Sequence, residues 1–107
     1  MNQQYDPDDE RDAVPAELLP LVGGFLERRI TDVSVLREAV KNNDFGTVKL
    51  LGHRLKGNGA GFGFPSLSRL GAELEASGSA SDRTSATDLI NNLEILVERY
   101  KRDNETA

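Results

Sequence analysis

The stretch at residues 45–75, FGTVKLLGHRLKGNGAGFGFPSLSRLGAELE, decides the fold because it contains two helical patterns in direct succession. Asp44 is a good N-cap for a helix that begins at Phe45. The apolar residues of this first pattern share one side of a helix: Phe45, Val48, Leu51, Leu55 and Phe62. Pro65 suits the first turn of the next helix, whose expected buried residues are Leu67, Leu70 and Leu74. Two amphipathic helices joined by a short connection favour antiparallel packing.

A further helical pattern precedes this stretch, in residues 15–42. Its apolar residues recur at intervals of mostly three and four: Leu18, Val22, Phe25, Leu26, Ile30, Val33, Leu36 and Val40. Pro20 and the Gly23-Gly24 pair weaken the start of this pattern. We therefore expect a short turn near Pro15 and then a longer helix that ends at the Asn42-Asn43 pair.

A last helical pattern follows residues 77–85, SGSASDRTS, which predict a flexible connection. Ser85 is the expected cap of this helix, with Asp88 three residues further on. The expected buried face contains Leu89, Ile90, Leu93, Leu96, Val97 and Tyr100. Since no segment shows the alternation of a half-buried strand, the sequence predicts an all-α fold. The expected architecture is an antiparallel four-helix bundle over residues 14–104, with a short extra helical turn at its N-terminus.

Length and composition indicate one small domain with limited chemistry. The chain has 107 residues, of which 18 are acidic and 13 basic, giving a net charge of −5. It has no Cys and only one His, which excludes a disulfide framework, a zinc ribbon and a thiol nucleophile, and we expect no metal site. No secretory signal or membrane-spanning run is present in the sequence, so we expect the protein in the cytoplasm.

The negative charge is concentrated at the N-terminus. Residues 1–13 contain five acidic side chains and one Arg, a net charge of −4, so residues 14–107 carry only −1. We expect residues 1–13 to be a disordered acidic tail and residues 105–107 a disordered end. From Lys41 to Arg69 the sign reverses, because five basic residues face only Asp44 as an acid.

The single histidine, His53, lies inside this basic stretch. A helical wheel at about 100° per residue places it opposite the apolar side of its helix, so it is predicted to be exposed. Its neighbours on the outer face are Gly46, Lys49, Leu50, Lys56, Gly57 and Ala60.

The outer face has a possible chemical purpose. An exposed imidazole is largely uncharged at pH 7 and can act as a nucleophile through a ring nitrogen. Gly57 weakens the helix but leaves room for another molecule beside the ring, and Lys56 could hold an anion attached to it. On spacing alone, an ordinary surface histidine remains the more common explanation.

The glycines at positions 57, 59, 61 and 63 do not form a nucleotide-binding loop. No Gly-Lys-Ser/Thr sequence is present, and Phe62, Phe64 or Ser66 stands where the dinucleotide fingerprint needs its third glycine. Gly61 and Gly63 are expected to form a helix end and a turn.

Residues 53–75, HRLKGNGAGFGFPSLSRLGAELE, resemble the signature of histidine-containing phosphotransfer (Hpt) domains of two-component phosphorelays. The positions that carry the resemblance are His53, Leu55, Lys56, Gly57, Gly63, Leu67, Leu70, Leu74 and Glu75. Asn58-Gly59 departs from the usual pattern, in which Ser or Ala follows the Lys-Gly pair. The resemblance implies that the first helix of this stretch runs to about Gly61, whereas propensity alone would end it near Gly57.

The resemblance implies a phosphocarrier without an ATP site, rather than an enzyme. His53 would accept a phosphoryl group on Nε2 from a receiver-domain aspartyl phosphate and pass it to another receiver aspartate. Lys56 would stabilise the phosphate and Gly57 would give access, while the docking surface would comprise Gly46, Lys49, Leu50 and Ala60. The protein would need no cofactor of its own, since Mg²⁺ is expected on the receiver.

The expected partners are response-regulator receiver domains, a hybrid histidine kinase, or both. We expect no nucleic-acid partner and no insertion into a membrane. We expect the protein to be a monomer. Glu75 could hold the other ring nitrogen of His53 if the two helices pack side by side, but a solvated glutamate is an equally simple interpretation. Two alternatives stay open: a docking module that is not phosphorylated, and a small hydrolase that uses His53 with a carboxylate. A free-standing protein and a module of a hybrid kinase are equally compatible with the sequence.

Overall fold

Four helices follow one another in residues 14–106, the part of the chain that the computed structural model describes. They are α1 (Val22–Lys41), α2 (Phe45–Phe62), α3 (Pro65–Ser79) and α4 (Arg83–Thr106). A 3₁₀ segment, Ala16–Leu21, precedes α1 and is the predicted extra turn. No strand occurs within these described residues, which confirms the all-α helical bundle. The predicted acidic tail, residues 1–13, lies outside them.

All four helices contribute side chains to one hydrophobic core. The largest fully buried side chains are Tyr100, Phe25, Phe64, Leu26, Leu36, Leu67, Leu74, Ile90, Leu93, Val48 and Val97. Aromatic rings connect the helices at one end: the centroids of Phe25 and Phe62 are 4.1 Å apart, and those of Phe64 and Tyr100 are 4.5 Å apart. Burial of this apolar surface is the main force that holds the bundle together.

Helices α2 and α3 approach each other through glycines rather than through side chains. Gly52 and Gly59 of α2 are seven residues apart, as are Gly71 and Gly78 of α3, so each pair lies on one side of its helix. A Cβ atom added at any of the four would come within 2.4–2.6 Å of a backbone nitrogen of the other helix. The two backbones are therefore in direct contact, a role that the sequence alone does not predict for these glycines.

The predicted ends of α2 are close to those observed. Asp44 caps the helix, since its carboxylate accepts hydrogen bonds from the Thr47 N–H at 3.2 Å and the Thr47 hydroxyl at 2.6 Å. The helix ends at Phe62, and Gly63 adopts the left-handed conformation with φ of 82°. Propensity alone, which ended the helix near Gly57, was wrong because contact with α3 outweighs the cost of the glycines.

The predicted flexible connection at residues 77–85 is wrong. Helix α3 continues to Ser79 and α4 begins at Arg83, so only three residues connect them. Ser77 and Gly78 are buried because this part of α3 packs on α2 beside Lys49. Polar and small residues are typical of loops, but here the packing of α3 on α2 keeps these residues helical.

Ser85 is not the cap of the last helix. Asp82, the residue before α4, accepts a hydrogen bond from the Ser85 N–H at 3.1 Å and from its hydroxyl at 2.8 Å. Aspartate is among the best N-cap residues, so the true cap lies three residues before the one predicted.

The C-terminal end of the bundle extends beyond residue 104. Helix α4 includes Glu105 and Thr106, which we had expected to be disordered, and it contains no Gly or Pro that would end it earlier. Lys101 also attaches this part of α4 to α1 through an ion pair with Glu27, at 2.8 Å. Ala107 lies outside the described residues.

Within residues 14–106, no helix combines the length and the apolar character that crossing a bilayer requires.

Candidate functional site

His53 lies in the middle of α2 and points into solvent. Its side chain is 66% exposed, whereas Gly52 and Leu55 beside it are buried. The helical wheel predicted this orientation because the apolar residues of α2 occupy the opposite side. The ring is thus open to a second macromolecule.

Glu75 of α3 contacts the imidazole of His53. The distance from its Oε2 to the Nδ1 of His53 is 3.2 Å, and the Glu75 side chain is 27% exposed. A carboxylate can only accept a hydrogen bond, so Nδ1 must carry the proton in this contact. In a neutral ring the lone pair then lies on Nε2, the nitrogen on the other side of the ring. The structure thus brings His53 and Glu75 together, whereas the sequence was equally compatible with a solvated glutamate. The role of this contact stays a prediction.

The other predicted site residues surround His53 on the outer face of α2. All six are exposed: Gly46, Lys49, Leu50, Lys56, Gly57 and Ala60. Leu50 is a large apolar side chain with 49% of its surface in water, which is unusual beside so many charges. A Cβ added at Gly57 would meet no atom within 4 Å. The space beside His53 is therefore empty, although nothing in the fold requires a glycine there.

A hydrogen bond between the helices holds the turn of α2 that follows His53. The Ser68 hydroxyl of α3 donates to the backbone carbonyl of Lys56 at 2.8 Å. This bond fixes the backbone of Lys56 while its ammonium stays in water. The sequence does not predict this role of Ser68, because a serine in a helix gives no signal of such a contact.

The face around His53 is positively charged. Lys49, Arg54 and Lys56 lie on the exposed side of α2, and Arg69 lies on the exposed side of α3. Arg69 donates a hydrogen bond to the Ser66 hydroxyl at 2.8 Å, which orients its guanidinium near the end of α2. Clustered cations favour an acidic partner and increase the rate of encounter with it.

The site does not enclose a small substrate. A groove of about 320 Å³ lies beyond the end of α2, but His53 is not among its lining residues, which are Ala60, Gly63, Phe64, Pro65, Ser68 and Arg69. Within residues 14–106, no group of three or more His, Cys, Asp or Glu side chains could hold a metal ion. A small hydrolase would need a pocket around its nucleophile, so the geometry favours reaction with a group that a protein partner presents.

A comparison with models of known protein families agrees with these observations. The family model described as Hpt domain matches residues 20–103, which include all of α1, α2 and α3 and all but the last three residues of α4. No curated protein and no solved structure matches the chain.

Proposed function

The chain belongs to the Hpt domain family, whose members serve phosphotransfer in two-component systems, and from this premise we propose that it is a phosphorelay intermediate. His53 accepts a phosphoryl group from the aspartyl phosphate of one receiver domain and passes it to the aspartate of another. The observation that carries this proposal is an exposed imidazole whose Nδ1 is hydrogen-bonded to Glu75, which leaves the lone pair on Nε2.

The transfer step follows from this arrangement. The Nε2 lone pair attacks phosphorus, the P–N bond forms, and the P–O bond to the receiver aspartate breaks with its electron pair on the departing carboxylate. No proton needs to leave Nε2, because the proton of the neutral ring is on Nδ1. The ring gains a positive charge as the P–N bond forms, and the Glu75 carboxylate stabilises that charge. Transfer to the second receiver reverses these changes.

The residues around His53 serve the phosphoryl group and the partner. Lys56, one turn along the outer face, stabilises the phosphoryl oxygens, and Gly57 leaves room for the receiver beside the ring. Gly46, Lys49, Leu50 and Ala60 provide the docking surface, which combines positive charge with exposed apolar area.

The protein acts as a carrier and not as an enzyme in this proposal. The receiver contributes its acidic pocket and the Mg²⁺ that it binds, which neutralises charge on the phosphoryl oxygens. The partners are receiver domains, on response regulators or on a hybrid histidine kinase, and the setting is the cytoplasm. The protein meets them as a monomer.

Incubation with a phosphorylated receiver tests the proposal. The chain should acquire a label that is lost in acid and stable in base, as expected of phosphohistidine. The variant His53→Gln should bind the receiver but remain unlabelled. A label that persists in this variant would contradict the assignment of His53.

The alternative is a docking module that binds a receiver or a histidine kinase without accepting phosphate. The exposed Leu50 within the basic face would serve such binding equally well. Binding of the receiver to the unmodified chain without any label under these conditions would favour this alternative.

A further inference from the structure

Gly52, the residue before His53, is in direct contact with the backbone that carries Glu75. A Cβ atom at Gly52 would lie 2.4 Å from the Glu75 nitrogen and 2.9 Å from its Cα. Both atoms belong to the backbone, so no side-chain rotation could relieve the contact. The absence of a side chain at Gly52 therefore sets how close Glu75 comes to α2.

Gly71 makes the same close approach from the other helix. A Cβ there would lie 2.4 Å from the Lys56 nitrogen and 2.8 Å from the Gly52 carbonyl oxygen. Each helix thus contributes a glycine to the backbone contact at the level of His53 and Glu75.

The hydrogen bond between His53 and Glu75 has little tolerance for a wider separation. Its length of 3.2 Å is already at the long end of the range for nitrogen and oxygen, so a displacement of α3 by about 1 Å would break it. Without that bond, nothing in the site selects which ring nitrogen carries the proton, because His53 is otherwise in water.

We propose that Gly52 and Gly71 are positioning residues for the phosphoryl acceptor: they hold α3 close enough for Glu75 to keep the proton on Nδ1 and the lone pair on Nε2. Their effect on transfer rests on the proposed function, but their effect on the imidazole does not. Alanine at either position separates the helices locally, which allows the proton to occupy Nε2 and removes the nucleophile from part of the population.

Gly59 provides a matched control within the same helix. A Cβ at Gly59 would lie 2.6 Å from the Ser68 nitrogen, so Gly59→Ala disturbs the packing of α2 on α3 in a similar way. Gly59 faces Leu67 and Ser68 rather than Glu75, and it is about 10 Å along the helix from Gly52. The two substitutions should weaken the bundle by similar amounts, but only Gly52→Ala should affect the imidazole.

The first experiment measures which ring nitrogen of His53 carries the proton, by ¹⁵N NMR of the imidazole in alkaline solution. The wild-type chain and Gly59→Ala should have the proton mainly on Nδ1, whereas Gly52→Ala and Gly71→Ala should show a major fraction with the proton on Nε2. Glu75→Asp is a second variant that keeps the packing but shortens the side chain, and it should give the same shift as Gly52→Ala. An unchanged tautomer in Gly52→Ala, or an equal change in Gly59→Ala, would overturn the proposal.

The second experiment measures the rate of transfer from a phosphorylated receiver in a double-mutant cycle. Gly52→Ala should slow transfer several-fold, because only the fraction of rings with the lone pair on Nε2 can attack phosphorus. In the Glu75→Ala background it should add little, because the residue through which it acts is already gone. An equal slowing in both backgrounds would overturn the positioning role. If the wild-type chain accepts no phosphate at all, the proposed function fails, while the tautomer measurement still decides the role of the two glycines.

Discussion

The two halves of the bundle are held together by different means. Helices α2 and α3 meet at four glycines with their backbones in contact, whereas α1 and α4 meet through large side chains and ion pairs. Arg37 of α1 is paired with Glu94 of α4 at 2.6 Å, and Glu27 with Lys101 at 2.8 Å. His53 and Glu75 belong to the first half, and the greater part of the buried aromatic and aliphatic surface belongs to the second.

This difference separates stability from site geometry. Side chains in a core adjust to a substitution by changing rotamers, but two backbones in contact have no such freedom. A site that depends on a 3.2 Å contact between two helices is therefore best placed where the backbones touch. Substitutions in the α1–α4 half should change the free energy of unfolding, while substitutions in the part of the α2–α3 contact beside Glu75 should also change the environment of His53.

The largest effect on stability is expected from Phe25→Ala in α1. The Phe25 ring is buried and stacks on Phe62 at 4.1 Å, so its removal should lower the free energy of unfolding by about 3–5 kcal/mol. Urea denaturation followed by circular dichroism measures this loss, and Ile95→Ala, whose side chain is 59% exposed, should change stability by less than about 0.5 kcal/mol. In the fraction that remains folded, the His53 tautomer should not change. A tautomer change in Phe25→Ala would show that the two halves are not independent.

Most of the fold follows from the sequence because apolar periodicity is a local signal. The stripes of α1 and α4 predicted the helices, and the wheel placed His53 outside because Val48 and Leu55 occupy the opposite side of α2. The Asp44 cap and the Pro65 start were equally readable, since each depends on a residue and its immediate neighbours.

The α2–α3 contact was not predicted because its signal is long-range. Glycines 52 and 59 in one helix and 71 and 78 in the next reveal a close approach only when the two segments are known to pack together. The sequence wrongly predicts a loop at residues 77–79 for the same reason, since serine and glycine are typical of loops unless a neighbouring backbone needs the space. The regular spacing of seven residues in both helices was the available clue.

Gly78→Ala should have the second largest effect on stability. A Cβ at this position would lie 2.5 Å from the Lys49 nitrogen, so alanine forces α3 away from α2 and should cost about 1–3 kcal/mol, despite its better helix propensity. Thermal unfolding measures the cost. A gain in stability would mean that the two backbones separate easily, and the distinction between the two halves would then fail.

A smaller effect of opposite sign is expected at Gly57, which lies on the same helix in open space. No atom lies within 4 Å of a Cβ built there, so Gly57→Ala should raise the free energy of unfolding by about 1 kcal/mol through helix propensity alone. The same unfolding measurement as for Gly78 gives a direct contrast between a glycine required by packing and one that is not. A loss of stability on Gly57→Ala would show that this glycine has a structural role.

A larger side chain at Gly57 separates access from stability. Gly57→Leu should leave the bundle folded but reduce phosphoryl transfer sharply, because the side chain occupies the space beside His53. Gly61→Leu is the matched control, since Gly61 also lies in open space but about one turn further along α2 and so further from His53. Equal transfer rates for the two variants would show that Gly57 does not provide access.

The smallest effect is expected from acid, and it acts on the helix caps rather than on either half of the bundle. Hydrogen bonds from Thr47 lower the pKa of Asp44 below its usual value of 3.8, and hydrogen bonds from Ser85 do the same for the pKa of Asp82. The folded state therefore binds fewer protons than the unfolded state between the lowered pKa and 3.8. The stabilisation by both caps should be complete above this window and lost as the pH falls through it, and solvent screening keeps it small because both carboxylates are exposed.

Asparagine at each cap gives the test of this acid effect. Asp44→Asn and Asp82→Asn keep an oxygen acceptor but cannot titrate, so the urea midpoint of the double variant should fall less steeply below about pH 4 than that of the wild type. Asp32 supplies a contrast of opposite sign, since burial raises its pKa although Arg29 opposes the shift. Its protonation favours the folded state as the pH falls, so Asp32→Asn should make the loss of stability in acid steeper. If the cap variants and Asp32→Asn change the decrease of the urea midpoint in acid in the same direction, the pKa shifts do not control that decrease. The loss of a negative charge in each variant would then be the cause.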